Sequence, residues 1–313
     1  MSRILITTDY LKPGDSIDQL LRQHGHEPVY APFRGQRQEA EIQQLLSGVS
    51  AAILASEPVT AKSLETAEEL KVIARSGVGY DSIDLAAARE KGIRVCYAPG
   101  TNHHSVAELA LGMMIASARN LVSVHNSVKD GNWPRQAGHE LSGSTLGIIG
   151  FGPSGRALAH LGLALGMKVL VHTSYPNDDI SGVEFVELES LLNHSDYVSL
   201  HTRANSHSRK LIGVHSFNAM KPTAALINTA RGSLIDEDAL VDALESGTIA
   251  AAALDVFDSE PLSLDSKLRN FDNVILTSHL AGQTAEARER AGLAAAQEVI
   301  DVLQGKEPSN PVD

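Results

Sequence analysis

Short apolar runs of β character alternate with helical patterns along almost the whole chain, and this alternation constrains the fold more than any other feature. Strands are expected at "RILITT" (3–8), "AAILAS" (51–56), "VIARSG" (72–77) and "RVCYAPG" (94–100). Helices are expected at "SIDQLLRQHG" (16–25), stopped by Gly25, and at "SIDLAAAREKG" (82–92), capped by Ser82 and ended by Gly92. A second β–α series opens at "TLGIIGFG" (145–152). Its further strands are "KVLVHT" (168–173), "DYVSLHT" (196–202), "AALINTA" (224–230), "AAALDVF" (251–257) and "NVILTSH" (273–279). Its helices include "SGRALAHLGLALG" (154–166) and "IDEDALVDALESG" (235–247). Strands this apolar are covered on both faces, so the expected class is α/β with doubly wound parallel sheets. At roughly 100–200 residues per domain, 313 residues suit two of them.

Between the two series the alternation breaks. "NHHSVAELALGMMIASARNL" (102–121) predicts one long helix, apolar nearly all round and therefore buried, between domains or at a subunit interface. "DGNWPRQAGHELSG" (130–143) predicts a loop, and the tail "GKEPSNPVD" a frayed end.

The formal net charge of −12 disfavours non-specific binding to nucleic acid or an anionic membrane. No apolar run approaches the ~18–20 residues of a membrane span, and the N-terminus does not read as a signal peptide. Cys96 is the only cysteine, which excludes an intrachain disulfide and suits a reducing cytoplasm. The thirteen histidines show no metal-ligand spacing, and adjacent His103 and His104 are expected to point apart on a helix, so no metal is expected.

"GIIGFGPSG" places Gly150, Gly152 and Gly155 in G-x-G-x-x-G spacing, after an apolar strand and before a helix. That context makes a weak motif a stronger one. Gly150 permits a tight turn, Gly152 lets a pyrophosphate approach the backbone, and Gly155 lets helix and strand pack closely. The helix then opens with Pro153, which needs no N–H there, and Ser154, and its N-terminus favours phosphate. A dinucleotide site is expected.

"RSGVGYDSIDLAAAREKGIRVCYAPGTNHHSVAELALGMMIASARNL" (75–121) resembles the D-isomer-specific 2-hydroxyacid dehydrogenases, most of all the 3-phosphoglycerate dehydrogenases. "LSGSTLGIIGFGPSGRALA", "INTARGSLIDEDALVDALESGTIAAAALDVFDSEPL" and "LTSHLAGQT" continue the match over essentially the whole chain. The resemblance implies a flavodoxin-like substrate domain (1–100 and 284–313), a Rossmann cofactor domain (101–283), and an active site in the cleft between them. It implies a reversible hydride transfer between NAD or NADP and a 2-oxo or 2-hydroxy acid. A homodimer through the 102–121 helix region is expected. The regulatory domain that follows in longer phosphoglycerate dehydrogenases is expected to be absent.

The resemblance also assigns roles. The planar fork of Arg231 suits a carboxylate or a developing alkoxide, and the family uses this residue on the substrate carboxylate and carbonyl. His279 would move the proton, supported by Glu260 of the E-P motif, while Asp258 lies nearby in sequence as a decoy. Asp255 would bond the nicotinamide carboxamide. Further dinucleotide contacts are expected from Thr173, from His201, Thr202 and Arg203, and from Thr229 and Ala230. Ser76, Val78, Gly79 and Asn102 are expected at the substrate, although Asn102 also reads as a helix cap.

The chain departs from the pattern in three places. In "GMKVLVHTSYPNDD" (166–179), Thr173 stands where the family often has the ribose-binding Asp, and Arg203 stands where relatives usually have Pro. An Asp would repel a 2′-phosphate and Thr would not, so a weakened NAD preference is expected, with NADP tolerated or favoured. In "LASEPVT" (54–60), Glu57 stands where phosphoglycerate dehydrogenases commonly carry a phosphate-binding arginine. That anion disfavours a phosphorylated substrate unless Arg75, Arg135 or a partner subunit supplies charge. A glyoxylate or hydroxypyruvate reductase is thus the alternative, and a dinucleotide-sensing, corepressor-like binding protein the alternative of another class. A formate dehydrogenase would be expected to carry Gln in place of Glu260.

Overall fold

The computed structural model describes residues 1–32, 37–176, 180–205 and 208–312. It divides into two compact units, Met1–Asn102 with Gly282–Asp313, and His103–Ala281.

The first unit carries one parallel sheet of β1 (Arg3–Ile6), β2 (Glu27–Tyr30), β3 (Ala51–Leu54), β4 (Val72–Arg75) and β5 (Arg94–Cys96) in the order β2-β1-β3-β4-β5. This is the flavodoxin-like order. Every residue of β3 and β4 is buried, as helix cover on both faces requires. The covering helices are α1 (Ser16–Gln23), α2 (Glu39–Leu46), α3 (Leu85–Glu90) and the terminal α10 (Ala285–Leu303). Helix α10 packs close through small residues: Ala291, Gly292, Ala295 and Ala296 are buried, and a Cβ on Gly292 would lie 2.9 Å from Leu11.

The second unit adds α4 (His103–Ala118), α5 (Leu121–Lys129), β6 (Thr145–Ile149), α6 (Pro153–Ala164), β7 (Lys168–His172), β8 (Val183–Phe185) and α7 (Leu188–His194). It continues through β9 (Tyr197–Leu200), α8 (Val214–Ala219), β10 (Ala225–Asn228), α9 (Glu237–Glu245), β11 (Ala251–Leu254) and β12 (Val274–Leu276). The sheet runs β12-β11-β10-β9-β6-β7-β8, all parallel. From β6 the chain turns first to one side (β7) and later to the other (β9). The carboxyl end of β6 is therefore the topological switch point, where ligands bind in such sheets. Apolar residues fill both faces: Ile149, Val198, Leu200 and Leu226 on one, Leu146, Ile148, Val169 and Ile227 on the other.

Four expectations need correction. Helix α3 starts at Leu85 and its cap is Asp84, whose Oδ1 accepts from Ala87 N at 3.0 Å. Ser82 cannot cap, because its hydroxyl is engaged by the Arg75 guanidinium and by the Glu57 carbonyl. The single helix over 102–121 is two, α4 and α5, bent by 63° where Asn120 takes a left-handed conformation (φ 53°). The tail is tied down: Val312 N donates to Val95 O, Tyr97 N donates to Asn310 O, and buried Glu298 accepts from Ser309 N and Asn310 Nδ2. His103 and His104 do not point apart; their ring centroids are 4.1 Å apart. Among the described residues no single helix is long and apolar enough to cross a membrane.

Candidate active site

The glycine turn follows β6 at the switch point. Gly150 has φ 96°, and a Cβ there would lie 2.6 Å from the His201–Thr202 peptide. Glycine is thus required twice over, by conformation and by close approach. Gly150 N also donates to His172 O (2.8 Å), and His201 N to Ile149 O (2.7 Å), so the ends of β7 and β9 are stapled to the turn. A Cβ on Gly155 would sit 2.3 Å from Gly150 O, which is the close helix–strand packing expected. Gly152 differs: its φ of −73° suits any residue and a Cβ would meet nothing within 4 Å. The protein itself does not need glycine there, and the open space is what an approaching phosphate needs. Pro153 opens α6 at its first turn. Thr229 Oγ1, buried, has no partner among the described residues, leaving one polar atom for a ligand. These features fit a dinucleotide.

Thr173 follows β7 and Arg203 follows β9, the two strands flanking β6. Thr173 Oγ1 accepts from Tyr175 N at 3.3 Å. His172 donates Nδ1–H to Val186 O (3.1 Å), and Arg203 is exposed.

The second cluster is built on the ends of β10, β11 and β12. Buried Asn228 fixes the turn carrying Arg231: its Oδ1 accepts from Ala230 N (3.0 Å) and its Nδ2 donates to Arg231 O (2.8 Å). Gly232 lies so close to the loop after β11 that a Cβ would stand 1.8 Å from Phe257 C. Asp255 has no exposed surface, and its carboxylate accepts from Thr277 Oγ1 (2.5 Å), Leu280 N (2.7 Å) and Ala281 N (2.8 Å). Its backbone oxygen also accepts from His279 N at 2.8 Å. Asp255 therefore clamps the loop that presents His279, which has φ 58°, an unusual backbone for a non-glycine residue.

Within that frame His279 Nδ1 lies 2.8 Å from Glu260 Oε2. A carboxylate only accepts, so Nδ1 carries the proton and Nε2 is left for exchange with a substrate. Glu260 Oε1 accepts from Phe257 N (3.1 Å). Burial pushes the Glu260 carboxyl up, but the hydrogen bond and charge of His279, Phe257 N and the Arg231 charge together hold it below the usual carboxylate range. A depressed carboxyl contributes to stability above its unfolded-state value, and the contribution is lost as pH falls through the lowered folded value. Asp258 is turned elsewhere: its N–H donates to Glu237 and its carboxylate lies 3.8 Å from Arg209.

In the first unit, Ser76 follows β4 and is engaged by Tyr10, whose hydroxyl is 2.7 Å from Ser76 Oγ. Val78 and Gly79 are half-buried in the loop beyond it. Asn102 packs on Gly282, where a Cβ would lie 2.9 Å from Asn102 Nδ2. Glu57 is not the displayed anion its position suggested: it is 7% exposed and 3.8 Å from the Arg37 guanidinium. Arg75, also buried, is bonded to Ala55 O and Ser82. Sequence reasoning missed the supporting residues Asn228, Thr277, Ser199 and Tyr10. Asn228 and Ser199 carried a local signal, each a polar residue in an apolar, buried strand run.

A family model for the D-isomer specific 2-hydroxyacid dehydrogenase NAD binding domain matches residues 111–281. The chain is 41% identical over 269 residues to a hydroxypyruvate reductase of Thermotoga maritima, covering 84% of this chain and 88% of that protein. It is 38% identical to a D-3-phosphoglycerate dehydrogenase of Synechocystis, covering 97% of this chain but 55% of that longer protein. The crystal structure of the TT0316 protein from Thermus thermophilus superposes with a TM-score of 0.92 at 37% identity, covering 99% of this chain and all of that one. The chain belongs to the D-isomer specific 2-hydroxyacid dehydrogenases and is an oxidoreductase of the CH–OH group of hydroxy acids that uses a nicotinamide dinucleotide.

Proposed function

We propose that the chain reduces small, unphosphorylated 2-oxo acids, with hydroxypyruvate and glyoxylate as the first candidates. The observation that carries the reaction is the Glu260–His279 pair at 2.8 Å, with Nε2 making no hydrogen bond among the described residues and the Arg231 turn packed against the same loop. A bound dihydronicotinamide supplies the hydride that reduces C2. His279 gives the Nε2 proton to the C2 oxygen and takes it back in the reverse direction. Glu260 holds the ring in its tautomer and offsets the charge of its protonated form. Arg231 receives the substrate carboxylate on its planar fork. Ser76, Val78, Gly79 and Asn102 take the substrate-binding roles that the resemblance implies. Asp255, whose carboxylate is engaged by the loop after β12 that carries His279, acts first by positioning His279.

The substrate class rests on charge in the first unit. Glu57 neutralises Arg37, and buried Arg75 is bonded to Ala55 O after β3 and to Ser82 after β4, so neither guanidinium is presented for a phosphate. The likeness to phosphoglycerate dehydrogenases supports phosphohydroxypyruvate as a second reading. The likeness over nearly full length to a hydroxypyruvate reductase supports the first. The intact Glu260–His279 pair argues against a binding module without catalysis. A panel of hydroxypyruvate, glyoxylate and phosphohydroxypyruvate with either reduced cofactor decides. Hydroxypyruvate or glyoxylate should give the higher kcat/KM, and His279→Gln should lower kcat by about 10²–10⁴-fold. A preference for the phosphorylated acid would reverse the substrate reading, and near-normal turnover by His279→Gln would remove the mechanism.

We propose that NADP is accepted and that Thr173 is the reason, with Arg203 supplying charge from the other flank of the turn. Thr173→Asp should move the ratio of kcat/KM values toward NAD by roughly tenfold or more. A wild-type enzyme that already rejects NADP by orders of magnitude would contradict this.

We further propose a homodimer through the α4–α5 region, in a reducing compartment such as the cytoplasm, which suits the single, buried Cys96. No residue of α5 is buried, although Leu121 is 51% exposed and Val122 and Val128 are nearly as open; Trp133 beyond it is 81% exposed. Such an apolar face suits a second copy of the chain. Sedimentation velocity should give a dimer for the wild type and a monomer for Leu121→Asp with Trp133→Ser; an unchanged mass in the variant would place the contact elsewhere.

A further inference from the structure

Three polar side chains form a line behind the glycine turn. Ser199 and His201 are two residues apart at the end of β9, so they face the same side of the sheet. That side meets the first turn of α6. Ser199 Oγ is 2.9 Å from His201 Nε2, and His201 Nδ1 is 3.0 Å from Ser154 Oγ. Ser199 is fully buried, and His201 is 9% exposed.

The chemistry of the three groups gives the line a direction. A neutral imidazole has one N–H donor and one lone-pair acceptor. The Ser199 hydroxyl has one proton, and His201 is its sole hydrogen-bond partner among the described residues. If Nε2 were the protonated nitrogen, Ser199 would accept and its own proton would be buried without an acceptor, the arrangement that native interiors avoid. Ser199 must therefore donate to Nε2. The imidazole proton then sits on Nδ1 and is given to Ser154 Oγ. With that lone pair filled, the hydroxyl proton of half-buried Ser154 is left over, in the first turn of a twelve-residue helix that starts beside the open space at Gly152. Burial supports the neutral form, pushing the His201 imidazole down to about 4.

We propose that Ser199, His201 and Ser154 are a one-way hydrogen-bond relay that aims the Ser154 hydroxyl proton at a pyrophosphate oxygen of the dinucleotide. Ser154 is the contacting group, and His201 and Ser199 are positioning residues. The inference rests on the reading of the glycine turn as the dinucleotide site. It extends that reading to a hydroxyl donor added to the N–H groups of α6, with its polarity set from the opposite end of the relay.

The relay is tested first without cofactor. Long-range ¹H–¹⁵N NMR on the full chain with ¹⁵N-labelled histidine, the His201 resonances assigned by comparison with His201→Gln, should show protonated Nδ1 and bare Nε2 at neutral pH. The Nε2-protonated tautomer or an imidazolium would overturn the proposal, whatever any variant does. The second arm is the Kd of NADH and NADPH by titration calorimetry. Ser154→Ala should weaken binding roughly tenfold, as for a lost hydrogen bond to a charged group. Ser199→Ala should also weaken it, Ser199→Thr should restore it, and Ser199→Ala should add nothing in the Ser154→Ala background. A wild type that binds the dinucleotides while Ser199→Ala binds equally well overturns the relay alone. A wild type that binds neither overturns the dinucleotide reading and the purpose assigned to the relay with it, while the tautomer result stands by itself.

Discussion

The absence of one carbon atom at Gly232 is the constraint on which the catalytic cluster depends. A Cβ there would fall 1.8 Å from the Phe257 carbonyl carbon, so any side chain would drive apart the turn after β10 and the loop after β11. Arg231 rides on the first and Glu260 on the second. The same loop is tied to a third through Asp255, whose carboxylate is filled by Thr277, Leu280 and Ala281. Three strand ends, adjacent in the sheet, are thereby locked at backbone distance. The left-handed backbone of His279 is held within this lock, and with it the direction in which the imidazole faces.

The cofactor end uses the same device at the other half of the sheet. Gly150 lets β6 turn against the His201–Thr202 peptide, and backbone hydrogen bonds staple β7 and β9 to it. Sheet order thus gathers Thr173, the glycine turn and Arg203 from positions far apart in the chain. Glycine is required for packing at 150 and 155. At 152 no protein atom comes within 4 Å of a Cβ position, which leaves room at the turn for a ligand.

Strand–helix alternation and the glycine spacing were legible because both are local. The parallel class and the Glu260–His279 pairing follow from them with the family's motifs, whereas the switch point appears only in the strand order. Other features depended on atoms distant in sequence. Ser82 reads as a helix cap until Arg75 takes its hydroxyl. The tail reads as loose because its partners, Val95 and Glu298, are invisible to local composition. Glu57 reads as a repelling anion because Arg37, twenty residues earlier, is not adjacent in sequence. Strands β2 and β8 went unread because each is short and carries few apolar residues.

If these loops make one catalytic unit, Glu260 acts through His279 and through nothing else. The direct measurement is kcat/KM for Glu260→Gln in the wild-type and His279→Gln backgrounds, each corrected for the folded fraction. Glu260→Gln should cause a large loss in the first background and less than about a twofold change in the second. An equal loss in both would mean that Glu260 serves the reaction by itself, and the coupled unit described here would be wrong.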